Sequence, residues 1–189
     1  VLNGEDWDVA ADAVVRNTTN LGFGAASNEG ASLSHADLIC FLNQDTIPQP
    51  NWLPPLIAAF DDPQVAIAGP RIVHPAGDLQ TSGVRLWHGN GSAGGEEIKQ
   101  ELPTRIVDGV TGACLVIRRS VFNAVGGFDL SFRNGYEDCA LCMSVNEAGY
   151  VCKYVAESTI VHYESVSGPE RWMYAGQNVA TMNAIWGNR

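Results

Sequence analysis

Five consecutive apolar residues, Leu38-Ile39-Cys40-Phe41-Leu42, follow Asp37 and stop at the polar string Asn43-Gln44-Asp45-Thr46. An uninterrupted apolar run of this length predicts a strand buried on both faces, which demands a layer of other elements on each side. In open α/β sheets, ligands sit just beyond the carboxyl ends of such strands. A cleft around Asn43 and Asp45 is therefore the first expectation for this chain.

The remaining segments supply the layers. Asp12-Ala13-Val14-Val15-Arg16 is a short strand-like run, and residues 21–33, rich in Gly and Ala, predict a helix packed closely on a neighbour. Residues 52–60 predict a helix whose early prolines suit a first turn. Val65-Ala66-Ile67-Ala68 predicts a second buried strand, closed by Gly69-Pro70. Residues 74–102, interrupted by Gly89, Gly91, Gly94 and Gly95, predict a long mobile loop or a weak hairpin. A strand over 113–117 then leads into a short helix ending at Gly126-Gly127. Residues 137–148 predict a helix with Leu141, Val145 and Ala148 on one face and Gly149 as its stop. Residues 151–155 and 159–161 are strand-like, and residues 170–186 predict a last helix with apolar positions at Met173, Val179, Met182 and Trp186. With no internal repeat and no linker, the expectation is one α/β domain over residues 1–189.

Composition narrows the function. The chain has 189 residues, a net charge of −10, and Lys99 and Lys153 as its lysines. Duplex nucleic acid is a poor partner for such a surface, because that binding runs on neutralising phosphates with cations. A nucleotide held through a metal ion is not excluded. No apolar run approaches the ~18 residues of a membrane span, and no cationic-then-apolar leader opens the sequence, so neither is expected within it. Cys40, Cys114, Cys139, Cys142 and Cys152 are odd in number and mostly in apolar stretches, which predicts reduced, buried thiols in a cytoplasmic protein. The Cys139/Cys142 pair has no second pair at zinc-finger spacing.

Three polar groupings carry the chemistry. Asp45, emerging from a buried strand, suits a hard divalent ion, which prefers oxygen donors; it equally suits a turn before Pro48. Glu137 and Asp138 follow Asn134-Gly135-Tyr136 at the start of a predicted helix. There the macrodipole and free N–H groups favour carboxylates, so one of the pair is accounted for by capping. Adjacent helical side chains diverge by about 100°, so one faces the sheet edge while the other caps or braces. A carboxylate near a cleft is a good general base for a hydroxyl. His162 follows Ile160-Val161 and acquires a role only if it faces Asp45.

Taken in order, several segments resemble the family 2 glycosyltransferases of the GT-A fold, especially the bacterial rhamnosyltransferase-like members. They are Asn20-Leu21-Gly22-Phe23-Gly24 running to Asn28-Glu29-Gly30, Phe41-Leu42-Asn43-Gln44-Asp45-Thr46, Gly69-Pro70-Arg71-Ile72, Thr111-Gly112-Ala113-Cys114, Gly126-Gly127-Phe128-Asp129, Tyr136-Glu137-Asp138 and His162. Together they span roughly residues 12 to 168, with 169–189 as a C-terminal helix. The resemblance implies a Rossmann-like, mixed and mostly parallel sheet flanked by helices.

It also implies roles. Asp45 stands where the family's DxD motif has its last Asp, which holds Mg²⁺ or Mn²⁺ on a nucleotide diphosphate, and Asn43 replaces the first. His162 matches the His that completes the metal or diphosphate site. Asp138 would be the general base, with Glu137 orienting it or the acceptor. Gly112 and Ala113 would line the sugar and acceptor pocket, and Asp129 the acceptor side. The implied reaction is inverting transfer of a sugar from a nucleotide-diphosphate donor to a hydroxyl of a glycan or lipid-linked glycan, by one displacement. The loop over 74–102 would close over the substrates. The implied location is the cytoplasm or the inner face of the membrane.

The family places a strand–helix–strand unit, which binds the nucleotide base, before the Asn20-Leu21-Gly22-Phe23 segment. Only 19 residues precede Asn20 here, and residues 1–12 show neither its opening strand nor its Asp-containing turn. The expectation is an N-terminally truncated fold with an exposed sheet edge and a tendency to homo-oligomerise through it. The alternative function is a non-catalytic remnant acting as a binding or assembly module.

Overall fold

The computed structural model describes residues 2–3, 11–163 and 173–189. In chain order the elements are β1 (Leu2–Asn3), β2 (Arg16–Asn17), α1 (Phe23–Ser32), β3 (Leu38–Leu42), β4 (Thr46–Pro48) and α2 (Leu53–Ala58) with a 3₁₀ turn (Ala59–Asp61). Then come β5 (Val65–Val73), β6 (Leu79–Thr81), β7 (Val84–Gly89), β8 (Ser92–Glu97), β9 (Arg105–Val107) and β10 (Cys114–Arg118). The last are α3 (Arg119–Ala124), α4 (Glu137–Glu147), β11 (Val151–His162) and α5 (Ala175–Trp186).

The central sheet has the strand order β3-β10-β5-β11-β4, with β6 added to β5 and β9 to β11. It is a mixed sheet flanked by helices, as expected. Its parallel share is smaller than expected: among the described strands of this sheet it is confined to β5 against β11, and the other pairings are antiparallel. An apolar run reports burial and carries no information about strand direction, so this balance was not readable from the pattern.

Burial corrects the reading of β3. Ile39 and Phe41 are buried, whereas Cys40 and Leu42 on the opposite face are exposed. The reason is position. β3 stands at the end of the strand order, and α2 packs farther across, through Leu56 with Val65, Ala68, Val116 and Val155. The strands buried on both faces are β5, from Val65 to Pro70, and β10, from Cys114 to Ile117.

The covered face of β3 is held by aromatic packing. Phe41 meets Phe122 of α3 and Phe128 at centroid separations of 5.3 and 5.0 Å, and Phe128 meets Phe23 of α1 at 5.2 Å. Each such ring contributes about 1.5–3 kcal/mol on burial, and together they fix α1 against the sheet. The small residues of α1 permit this approach, since a Cβ on Gly24 would lie 3.2 Å from Phe128 Cβ.

The segment over 74–102 is structured. It contains β6 and the antiparallel hairpin β7–β8, so the hairpin alternative holds. Asn90 (φ 54°) and Gly91 (φ 80°) form its two-residue turn. Both positions require a left-handed backbone, which Asn-Gly supplies at the lowest cost. The two strand-like pieces at 151–161 are one strand, β11, with a register shift between Val155 and Thr159. In α5 the buried positions are Asn178, Met182 and Trp186, while the expected Met173 and Val179 are exposed. The spacing of four selects one face, and Val179 is a residue off it. Residues 170–172, expected to open this helix, lie outside the described residues.

Candidate active site

The sheet joins the ends of two strands. After β3 the chain turns at Asn43, whose N–H donates to Ala113 O at 3.0 Å and whose carbonyl accepts from Thr46 Oγ1 at 2.6 Å. β4 then pairs antiparallel with the end of β11, Thr46 opposite His162, and the Tyr163 N–H donates to Asp45 O at 2.9 Å. Two side chains 117 positions apart in sequence are thereby brought together. Asp45 Oδ1 lies 3.3 Å from His162 Nε2, with the side chains only 11% and 8% exposed. On the other edge of the ring, His162 Nδ1 lies 3.0 Å from Gln80 Oε1.

Across from this pair stands the first turn of α4. Asn134 (φ 54°) and Tyr136 (φ 71°) hold the entering backbone in the left-handed region, so the chain arrives at the helix from the cleft side. Asp138 Oδ2 accepts from the Gly112 N–H and Oδ1 from the Cys139 N–H, both at 2.8 Å. Glu137 turns the other way, as the angle between adjacent helical side chains requires. It is 4% exposed, and its Oε2 accepts from the Gly135 N–H at 2.5 Å. Burial, and then the neighbouring Asp138 charge, push its carboxyl up to about 7.

A cleft of about 220 Å³ runs between these two halves. Seven expected residues line it: Asn43, Asp45, Gly112, Ala113, Glu137, Asp138 and His162. Asp129 does not. It caps the following turn by accepting from the Ser131 N–H at 2.8 Å and borders a separate cavity beside Ser144 and Trp186.

Sequence reasoning missed Gln80, Glu97, Thr111 and Asn134, which also line the cleft. Gln80 and Glu97 lie in the segment read as a loop or weak hairpin. Its Asn-Gly turn signal locates the hairpin, but nothing local shows which of its side chains meet the end of β11.

The donor set fits a hard divalent cation in part. One carboxylate oxygen and one imidazole nitrogen lie 3.3 Å apart at the cleft, and imidazole with carboxylate suits Mn²⁺ or Mg²⁺ with further oxygen ligands. Among the described residues no group of three or more His, Cys, Asp or Glu is arranged to hold a metal ion. Any ion held there would take its remaining ligands from water or a bound substrate.

The chain is 33% identical over 150 residues to the pre-mycofactocin glycosyltransferase of Mycobacterium tuberculosis, covering 79% of this chain and 32% of that protein. It is 32% identical over 155 residues to the O-antigen biosynthesis protein RfbC of Myxococcus xanthus, covering 76% and 12%. This chain thus spans a third or less of the length of these curated relatives.

Among solved structures it is similar to GalNAc-T7 with UDP, GalNAc and Mn²⁺, with a TM-score of 0.62 and 18% identity, over 78% of this chain and 31% of that one. It is also similar to the mannosyltransferase PcManGT of Pyrobaculum calidifontis in complex with GDP-Man and Mn²⁺, with a TM-score of 0.60 and 14% identity, over 90% and 45%. These likenesses show a shared GT-A fold. The family model for glycosyl transferase family 2 matches residues 12–126, more than half of the sequence. The chain belongs to glycosyl transferase family 2.

Proposed function

We propose that this cleft transfers a sugar, with inversion, from a nucleotide-diphosphate donor to a hydroxyl of a glycan or lipid-linked glycan. The observation that carries the reading is the Asp45–His162 pair, 3.3 Å apart, facing Asp138 across one cleft. Asp45 and His162 would hold Mg²⁺ or Mn²⁺. Such an ion, when bound, offsets the charge that builds on a departing diphosphate.

The chain's own groups do the rest. Asp138 is held in one orientation by two backbone N–H groups, and each of its oxygens retains a lone pair for an acceptor hydroxyl. It takes the hydroxyl proton as the oxygen attacks the anomeric carbon from the face opposite the leaving group. Glu137, behind it, braces the lip of the cleft through Gly135. Its raised pKa keeps a share of it neutral near pH 7, so that two full charges are not forced side by side. Gly112 and Ala113 form the wall against which the sugar is oriented, and fixed orientation supplies much of the rate.

Pairing of β3, at the end of the strand order, with a second copy belongs to the same reading, and its readout is the mass in solution. None of the helices among the described residues is long and apolar enough to cross a membrane.

The test is a thermal-shift titration with UDP, dTDP and GDP, each with and without Mn²⁺. A ligand at about 100 times its Kd adds about 2.7 kcal/mol, which raises Tm by several degrees. The expected result is a shift that needs both Mn²⁺ and one of the nucleotides. A chain that no nucleotide stabilises, with or without the ion, contradicts a working donor site and favours the non-catalytic alternative.

A further inference from the structure

We infer that Asn178 of α5 is a positioning residue: its carboxamide clamps the backbone of Arg133 and thereby sets the loop that delivers Asn134, Glu137 and Asp138 to the cleft. The inference rests on the reading of Asp138 as the base.

The geometry fixes the orientation of the amide. Asn178 Oδ1 accepts from the Arg133 N–H at 3.2 Å, and Nδ2 donates to the Arg133 carbonyl at 2.8 Å. A backbone N–H only donates and a backbone carbonyl only accepts, so the carboxamide fits one way round. Asn178 is 2% exposed and shares its face of α5 with Met182 and Trp186, which join Ala140 and Met143 of α4 in one apolar cluster. A buried amide on such a face is costly unless both of its ends are bonded, and here both are. Tyr174, one turn earlier, adds a second hold: the Arg133 guanidinium stands 4.8 Å from the centroid of its ring.

The loop needs such a clamp. Asn134 and Tyr136 carry side chains yet sit at positive φ, a backbone region that persists only where the surroundings over-determine it. Glu137 holds the far end through the Gly135 N–H, from within α4 itself. Asn178 holds the near end from a different helix, and a Cβ on Gly135 would lie 3.5 Å from its Nδ2. Released at residue 133, Asn134 and Tyr136 relax toward negative φ, the first turn of α4 shifts, and Asp138 loses its bond to the Gly112 N–H. A displacement of about 1 Å is enough to misalign a reacting group.

The experiment uses the ¹⁵N-labelled full chain. In the parent the Arg133 N–H is expected to resist hydrogen exchange as the α4 amides do. The shift of the Gly112 amide proton reports its bond to Asp138. Asn178→Leu removes both bonds to Arg133, and Asn178→Asp removes only the one to its carbonyl. The Gly112 proton should move upfield in both variants, farther in Asn178→Leu. Hydrolysis of UDP-glucose, dTDP-rhamnose and GDP-mannose with Mn²⁺ reads the consequence. For the sugar nucleotide that the parent cleaves, kcat is expected to fall about tenfold or more in Asn178→Leu and less in Asn178→Asp. Affinity for the matching nucleoside diphosphate should stay within about twofold of the parent, because the Asp45 side of the cleft is untouched.

An Arg133 N–H that exchanges freely in the parent overturns the inference without any variant having to fold. So does an Asn178→Leu protein, folded by circular dichroism, with the parental Gly112 shift or the parental kcat. A shifted Gly112 proton in the variants of a parent that binds none of the three nucleotides and cleaves none of the sugars supports the clamp and removes the transferase reading instead.

Discussion

The backbone N–H of Gly112 donates to Asp138 Oδ2 across 2.8 Å, tying the loop before β10 to the first turn of α4. The approach is close: a Cβ at residue 112 would stand 3.3 Å from Asp138 Cβ, tighter than a usual contact, and 3.4 Å from Phe23 Cζ. One carboxylate is thus fixed at the mouth of the cleft by a loop that the opposite half of the sheet controls.

Asp138→Asn tests the base. An amide has one accepting atom, so it satisfies the N–H of either Gly112 or Cys139 and leaves the other without its acceptor, at a cost of about 1–3 kcal/mol. Transfer should fall by 10²-fold or more, the usual contribution of a general base. Nucleotide binding measured by calorimetry should be unchanged. A variant with parental turnover contradicts the assignment.

Asp45→Ala tests the donor site. It removes one of the two prospective cation ligands while leaving the backbone bond from Tyr163 N–H to the residue 45 carbonyl intact. In the parent, nucleotide affinity should rise at least tenfold on adding Mn²⁺, and in the variant that ratio should collapse toward one. Isothermal titration with the nucleotide that stabilises the parent gives both ratios.

Glu137 predicts a pH dependence of stability. Its folded-state pKa, about 7, lies above the ordinary value of 4.5. The folded state therefore holds its proton more tightly than the unfolded chain, and this contribution is fully present below pH 4.5. It is lost as pH rises from 4.5 through about 7, over a total on the order of 3 kcal/mol. Glu137→Gln keeps an oxygen for the Gly135 N–H and removes the titration. Urea unfolding between pH 4 and 8 should show a falling limb in the parent that is flattened in the variant.

Gly69→Ala tests how the loop before β10 is set. Gly69 lies within β5, and a Cβ there would meet Val110 Cβ at 2.6 Å and its Cγ1 at 2.7 Å. Both sites are buried, so the clash should destabilise by about 1–3 kcal/mol. Trimming the partner to Val110→Ala should not relieve it, because the nearest atom is the Val110 Cβ itself. Val110→Gly in the same chain should recover part of the loss. Denaturant midpoints of the two double variants decide the point.

The sequence by itself determined most of the strands and helices around the cleft, because local patterns encode them, but not the short β4 and β6, which carry no pattern of their own. The Leu38 run, Val65-Ala66-Ile67-Ala68, the 137–148 helix and its Gly149 stop are all read from period and punctuation, and so is the α/β class. Asp45, Asp138 and His162 were legible as candidates through the order of motifs. Their convergence was not. His162 meets Asp45 only because β4 pairs antiparallel with the end of β11, and Gln80 joins them only because β6 adds to β5. Strand pairing and direction are long-range choices that no window of residues contains. The exposure of Cys40 and Leu42 followed from where β3 falls in the strand order, and the withdrawal of Asp129 from the cleft followed from its own turn. Local physics chose the groups; the sheet, by bringing together atoms 117 positions apart in sequence to within 3.3 Å, decided which of them meet.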